Sequence, residues 1–220
     1  MRVYKFYSKR WGLEALYRRR LKIATLQDLN DPFEFGAVSK RDKRDRKNLE
    51  DFKKAMFTDK GLICFSRNWR NPVIWSHYSD SHKGLALGLD INDEIAMNVK
   101  YVESRLKVPE ALRTGAIKVQ ETGFARDILS TKFHHWSYED EVRVFLSLSD
   151  DRFENGLYFK LFGDQIILKE IVFGANYESG NNKRLQNELI NEGIKFTSSR
   201  LAFGSFEVVC QKNKTMWKTL

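Results

Sequence analysis

The sequence predicts an α+β fold in a single domain, with a mixed or antiparallel central sheet that helices interrupt irregularly. Segments with strand patterns outnumber segments with helical spacing, and the two kinds do not alternate as in a βαβ series. The 220 residues include only three prolines and no Gly/Ser-rich linker that would separate two domains. Hydrophobic residues make up 42% of the chain, which is enough for a sizeable core.

The first half of the chain begins with VYKFYS, whose alternating apolar and polar residues are typical of a strand. The segment after it has Leu13, Leu16 and Tyr17 at helical spacing. The elements predicted in this half are a strand at 3–8, a helix at 10–20, a strand at 21–26 (LKIATL), a turn at 30–36 (NDPFEFG), a helix at 41–58 and a buried strand at 61–66 (GLICFS).

The second half begins with a short helix, for which Asn71 is the predicted N-cap and Pro72 the first helical residue. The other elements predicted in this half are strands at 83–91 and 99–103, a helix at 121–135, a strand at 137–148, a strand in KEIVFG (169–174), a helix at 182–193 and two strands around a turn at 194–210.

Composition and the N-terminus limit the cellular location. No apolar run approaches the ~18 residues of a membrane-spanning helix, and the N-terminal segment lacks the features of a signal peptide. Cys64 and Cys210 both lie in apolar runs, so we expect them to be reduced and mostly buried. The expected location is the cytoplasm.

The chain is basic, with 38 Lys and Arg against 29 Asp and Glu and a net charge of +9. Two clusters carry part of the excess, at 17–22 (YRRRLK) and 39–48 (SKRDKRDRKN). Each is either a solvated helix face or a site for a polyanion such as nucleic acid, and charge alone does not separate the two. The candidate nucleic-acid-binding residues are Arg18, Arg19, Arg20, Lys40, Arg41, Lys43 and Arg44.

The segment WSYEDEVRVFLSL (136–148) combines charges with a strand pattern. Glu139, Glu141 and Arg143 fall at every second position and would share one face of the strand, near a cleft. A charged face on an edge strand is one interpretation. In a cleft, the two carboxylates would instead stabilise positive charge on a ribose-like carbon during glycosyl transfer. Arg143 would then clamp a phosphate or pair with a glutamate.

Two polar loops are further candidates for function. In WSHYSDSHKG (75–84), Tyr78 is predicted to anchor a short helix, and His77 either hydrogen-bonds at the edge of the core or contacts a ligand. In NDPFEFG, Asp31 and Glu34 are candidate catalytic acids. Asn30 and Asp31 are alternatively turn formers whose side chains bind backbone amides, and we favour the turn. The histidine spacing does not match a usual zinc site, so no metal is expected.

Six motifs in order along the chain resemble a bacterial family. They are VYKFYS, LQDLNDPFEFG, GLICFS, IWSHYSDSHKGLALGLD, WSYEDEVRVF and EIVFG, and they run from about residue 3 to residue 174. This set resembles the domain-of-unknown-function family 2971, and NDPFE and WSHYSDSHKG are its most specific members. The resemblance covers most of the chain but implies no activity.

The order of three strands is similar, more weakly, to that of ADP-ribosyltransferases. Those enzymes carry His or Arg in a first strand and Ser or Tyr in a middle strand, which hold NAD, and a Glu in a late strand, which binds the nicotinamide ribose. The resemblance implies an ADP-ribosyltransferase-like fold in which Ser66 takes the middle position and Glu141 or Glu139 the late one. The chain departs at the first position, where Lys5 lacks the ring or flat fork that orients a ribose.

The resemblance implies an enzyme that transfers ADP-ribose from NAD to an anionic acceptor such as nucleic acid, in the manner of a toxin or a phage-defence effector. The catalytic residues would be Glu141 and Glu139, and those that contact NAD would be Lys5, Tyr7, Ser66, His77, Tyr78 and Arg143. The alternative is a nucleic-acid-binding or nuclease-type defence protein without NAD chemistry. A non-catalytic module on the same scaffold, with Lys5 as its sign, is a third possibility.

Overall fold

An eight-stranded sheet organises the structure, a computed structural model that describes residues 1–25, 28–39, 42–114, 116, 118, 122–148 and 153–220. The helices and strands of these residues are β1 (Arg2–Tyr7), α1 (Lys9–Tyr17), β2 (Arg20–Ile23), α2 (Lys43–Phe57), β3 (Lys60–Ser66), α3 (Pro72–Tyr78), β4 (Leu85–Ile91), β5 (Ala96–Asn98), β6 (Lys100–Val102), α4 (Glu110–Arg113), α5 (Gly123–Ser130), β7 (Thr131–Phe133), β8 (Glu141–Ser147), β9 (Phe153–Glu154), β10 (Leu157–Leu161), β11 (Ile166–Phe173), α6 (Lys183–Asn191), β12 (Lys195–Leu201) and β13 (Val208–Cys210).

The large sheet has the strand order β13-β12-β11-β4-β1-β3-β8-β5. Its neighbouring strands are antiparallel except for β11 and β12, which are parallel because α6 crosses over between them. A smaller sheet joins β2, β10 and β9, and β6 pairs in parallel with β7. The chain is therefore an α+β protein with a mixed central sheet, as the sequence predicts.

The two faces of the sheet bury different clusters. On one face, Val3 and Leu87 belong to the same apolar cluster as Leu16 of α1 and Leu189 of α6. On the other face, Phe6 packs edge-on against Trp75 of α3, with their ring centroids 4.9 Å apart. Alternate residues of β1 thus enter opposite clusters, as the twofold period of a strand requires.

The sheet separates between β1 and β3. Strand β1 pairs with β4 over its whole length, and β3 pairs with β8 over its whole length. Between β1 and β3 themselves, the described residues pair at one position, Tyr4 with Ser66. Because each strand is held firmly by its other neighbour, the two halves of the sheet diverge beyond this bridge and leave a gap.

Several predicted elements differ in their bounds. The strand predicted at 137–148 begins only at Glu141, because His134–Glu139 forms a 3₁₀ helix. Asp140 ends that helix in the left-handed conformation, with φ 44°, and its carboxylate pairs with Arg67 at 2.5 Å. The helix predicted at 121–135 ends at Ser130 and is followed by β7. The short strands β5, β7, β9 and β10 were not predicted from the sequence.

The two cysteines are free thiols, as predicted, but they differ in burial. Cys64 of β3 is partly buried. Cys210 is exposed, so its predicted burial is wrong: it lies on β13, the edge strand that pairs with β12 alone. Its apolar run is short, and only Val208 of β13 is fully buried. No helix of the described residues combines the length and apolar character needed to cross a membrane.

Candidate functional site

A cavity of about 230 Å³ opens where β1 and β3 diverge, and we call it the first cavity. Its walls come from separate parts of the sequence that the sheet brings together. Tyr4, Ser66 and Glu141 occupy one row across β1, β3 and β8, since Tyr4 pairs with Ser66 and Ser66 with Glu141. The chemically important residues of its lining are Lys5, Asn30, Glu34, Ser66, Tyr78, Lys132, Glu139 and Glu141.

Behind this cavity, Arg143 holds Glu141 and Glu34. The Arg143 Nε donates to Glu141 Oε1 at 2.9 Å, and its Nη2 donates to Glu141 Oε2 at 3.1 Å and to Glu34 Oε1 at 2.6 Å. The remaining guanidinium nitrogen, Nη1, donates to the Leu129 carbonyl at 2.7 Å. Arg143 has no exposed surface and does not line the cavity, so the predicted phosphate clamp does not fit and its role is to pair with glutamates.

Lys132 of β7 is the second cation of this network. Its Nζ lies 2.6 Å from Glu139 Oε2, 3.2 Å from Glu141 Oε2 and 3.5 Å from Glu34 Oε2. Although burial opposes it, these three carboxylates raise the pKa of Lys132, so its ammonium stays charged. We call Glu34, Lys132, Glu139, Glu141 and Arg143 the ion cluster.

Glu139, at the end of the 3₁₀ helix, and Glu141, at the start of β8, have different environments. Although burial raises it, Arg143 and Lys132 lower the pKa of Glu141 to about 2. Burial raises the pKa of Glu139, and the opposing effect of Lys132 does not cancel it. Glu139 accepts a hydrogen bond from the Tyr78 hydroxyl, which in turn accepts one from the Asn30 side chain at 2.9 Å. Glu141 is thus a fixed anion, and Glu139 is the carboxylate closer to gaining a proton.

Lys5 reaches across the gap in the sheet. Its Nζ donates to the Cys64 carbonyl of β3 at 3.0 Å, beyond the single bridge between the two strands. Burial lowers the pKa of Lys5, while Cys64, Glu141 and Glu139 raise it more weakly. The first cavity therefore contains a lysine that loses its proton more readily than a lysine in water does.

When its three carboxyl groups are all ionised, the ion cluster carries one more negative charge than its two permanent cations, Lys132 and Arg143, offset. Lys5 offsets the remaining negative charge only while it is protonated. A cationic group that enters the first cavity would be stabilised by the carboxylate of Glu141. Because this carboxylate is already held in position, no free energy is needed to orient it when the group binds. The geometry suits a ligand that is positively charged or becomes so.

Some predicted residues lie away from the first cavity. Tyr7 packs against the cluster on the opposite face of the sheet. His77 is exposed, and its Nδ1 lies 2.8 Å from the Tyr138 hydroxyl. Trp75 is fully buried, with its indole donating to the Trp69 carbonyl at 2.6 Å. Asp31 is a turn former, as favoured, since its carboxylate accepts from the Phe33 amide at 2.8 Å.

The basic clusters contain both paired and exposed residues. Arg19 pairs with Glu192 at 2.5 Å, and Arg20 pairs with Glu154 at 2.5 Å and with Glu14 at 3.0 Å. These pairs hold the two guanidinium groups against the protein itself. Among the candidate nucleic-acid-binding residues, Arg18, Lys43 and Arg44 are exposed. Lys40 and Arg41 lie outside the described residues.

Lys132 was not predicted from the sequence, Asn30 was expected only to form a turn, and Glu34 was a candidate acid that the favoured turn interpretation left aside. Lys132 follows a helix in an unremarkable Thr-Lys-Phe segment, and no spacing rule links it to glutamates on either side. Glu34 gave a signal, since an acid in NDPFEFG was already a candidate. Tyr101 was also missed; its hydroxyl accepts from the Glu141 amide at 2.8 Å and fixes the start of β8.

Among the described residues, no group of three or more His, Cys, Asp and Glu side chains is arranged to hold a metal ion. Comparison of the chain with models of known families, with curated proteins and with solved structures found no match. The two resemblances of the motifs therefore remain predictions, and the case for function rests on the site itself.

Proposed function

We propose that the first cavity binds the nicotinamide-ribose end of NAD and that the protein is an ADP-ribosyltransferase-like enzyme with an anionic acceptor. One observation carries the proposal. The residues that the resemblance implies for the first, middle and late strands, Lys5, Ser66 and Glu141, lie on β1, β3 and β8, which are neighbours in the sheet, and all three line one cavity.

The chemistry of this transfer matches the charge of the site. When the bond between the ribose carbon and nicotinamide breaks, nicotinamide leaves with the electron pair and the ribose carbon becomes cationic. The acceptor then adds to that carbon and gives up a proton. Glu141, held ionised by Arg143 and Lys132, is placed to stabilise the cation. Glu139, whose pKa is raised, is the group suited to take the acceptor's proton.

The apolar wall of the cavity suits a flat ring. Tyr4, Phe6, Phe65 and Ile74 all contribute to the lining next to the polar residues. At about 230 Å³, the cavity is smaller than the ~300–1,000 Å³ of pockets for drug-sized ligands, so it would take one end of NAD and leave the rest outside. Lys5 would have to release the Cys64 carbonyl for the ring to pass between the strands.

A nucleic-acid-binding protein without NAD chemistry is the second candidate. The hydrogen bond of Lys5 across the gap favours it, because this contact ties β1 to β3 where a ligand would enter. The pairing of Glu141 with Arg143 is also what a purely structural ion pair would show. In this case the exposed cations, including Lys43 and Arg44, would carry the function.

Release of nicotinamide from NAD by the purified protein tests the proposal, with water or nucleic acid as acceptor. Glu139→Gln and Glu141→Gln should each lower the rate by ~10²–10³ and change the NAD affinity much less, because each charge acts mainly in the transition state. Glu50→Gln, on the exposed face of α2, is the matched control and should keep the full rate.

The stability of each variant needs its own measurement, because Glu141→Gln leaves Arg143 with one carboxylate partner. Chemical denaturation at the assay temperature shows whether both variants stay folded. Full rates in both folded variants would remove the carboxylates from the mechanism. A wild-type protein that releases no nicotinamide with any acceptor would favour the second candidate.

A further inference from the structure

A second cavity, of about 240 Å³, is also lined by Lys132, and no predicted function uses it. Its walls come from the turn after Asp31, the segment that follows β6, and β7. The residues that matter here are Phe33, Glu103, Arg105, Lys132 and Phe133. Lys132 lines both cavities, so the two are adjacent.

Two aromatic rings of this cavity are exposed. Phe33 is 59% exposed and Phe133 is 47% exposed. The Phe133 ring stacks on His135, with centroids 4.7 Å apart and planes 7° from parallel. The Arg105 guanidinium lies 5.1 Å from the centre of the Phe33 ring. One wall thus presents a stacked pair of rings, and the other presents a ring with a guanidinium over it.

Flat groups of this kind bind nucleic-acid bases. Bases stack on aromatic rings and on guanidinium planes once they are unpaired and splayed from the strand. Arg105 can at the same time donate to a phosphate, and the exposed carboxylate of Glu103 can accept from a base amino group. A purely apolar ligand would leave both of these charged groups without use.

The basic helix α2 is tied to the segment that follows Arg105. Val38 bridges to Leu106, and the Ser39 amide donates to the Leu106 carbonyl at 3.0 Å, which fixes the wall that leads towards α2. Asp45 of α2 pairs with Arg113 at 3.4 Å and ties the start of that helix to the same part of the chain. Lys43 and Arg44 are exposed at the first turn of α2 and suit the phosphates of a strand that leaves the cavity.

We propose that the second cavity binds an unpaired base of a single-stranded nucleic acid, with Phe33 and Phe133 as stacking platforms and Arg105 on the adjoining phosphate. The proposal rests on the proposed function in one respect, since it names the acceptor that the enzyme would present to the first cavity. The shared wall at Lys132 would place that base beside the ribosyl carbon.

Binding of a short fluorescein-labelled single-stranded DNA, measured by fluorescence anisotropy without NAD, tests this site. Phe33→Ala and Phe133→Ala should each weaken binding about tenfold, since each removes one stacking surface. Phe133→Tyr keeps the ring and should restore the affinity. Phe203→Ala is the matched control, because Phe203 is 95% exposed on the β12–β13 connection and should not affect binding.

The same DNA annealed to its complement should bind more weakly than the single strand, because its bases are not free to stack. Arg105→Gln should flatten the dependence of log affinity on log salt concentration by about 0.7, the value for one phosphate contact on a single strand. Equal affinity for both DNA forms, or unchanged affinity in both folded alanine variants, would overturn the proposal. Because the assay contains no NAD, failure to release nicotinamide leaves its result unaffected.

Discussion

The first and second cavities share Lys132 but have different linings. The first is lined by buried carboxylates that are held in place by ion pairs with Arg143 and Lys132. The second is lined by exposed rings, with the Arg105 guanidinium over Phe33. Buried ion pairs give a rigid field, which suits a reaction that develops charge, whereas exposed rings give an adaptable surface, which suits reversible binding.

Removal of Arg143 should have the largest effect on stability, because it disrupts the buried ion pairs behind the first cavity. In Arg143→Met, Glu141 and Glu34 stay buried without their guanidinium partner, so the free energy of unfolding should fall by about 3–5 kcal/mol. Urea denaturation measures the change. Arg184→Met is the matched control, since Arg184 is 91% exposed in a pair with Glu188 and should change stability little. Equal losses in the two variants would show that burial of the pair does not matter.

The acid stability of the protein tests the same cluster. Glu141 has its pKa lowered to about 2 from an ordinary value of 4.5, so it contributes stability above pH 4.5 that is lost as the pH falls towards 2. The expected contribution is about 3 kcal/mol. Denaturation of wild type and Glu141→Gln over this range should show a steeper loss in the wild type. Parallel curves would mean that Glu141 titrates in the folded protein as it does in the unfolded chain.

The reactivity of the two thiols, for which we expect the smallest effect, tests whether the wall of the first cavity is protected from solvent. Burial, and then Glu141, raise the pKa of the Cys64 thiol, whereas Cys210 is exposed on the sheet edge. An aromatic disulfide reagent should modify Cys210 at least about tenfold faster than Cys64, because the thiolate is the reactive form. Single Cys→Ser variants assign each phase. Similar rates at both positions would show that the first cavity opens readily to solvent.

Local pattern was enough to predict most of the elements. The alternation in VYKFYS, the Asn71-Pro72 start of α3 and the helical spacing of α2 depend on neighbours within a few residues, and the structure confirms all three. Pattern failed at 137–148, because the left-handed turn at Asp140 is stabilised by Arg67, a residue distant in the chain. The burial predicted for Cys210 failed for a similar reason, since only the sheet order makes β13 an edge.

The α+β class could be predicted from the sequence, because strand alternation and helical spacing are local patterns. The sequence also pointed to Glu139 and Glu141 as an acidic pair, although the strand face on which it placed them does not include Glu139, which ends a 3₁₀ helix. Only the tertiary structure decided what surrounds that pair. Lys132 reaches it from a segment whose spacing carries no signal, and Glu34 reaches it from the NDPFEFG turn. The gap beside it exists because β1 and β3 each pair fully with another strand. A buried charge needs an oppositely charged partner close to it in the fold, and the order of strands in the sheet decides which residues come close enough.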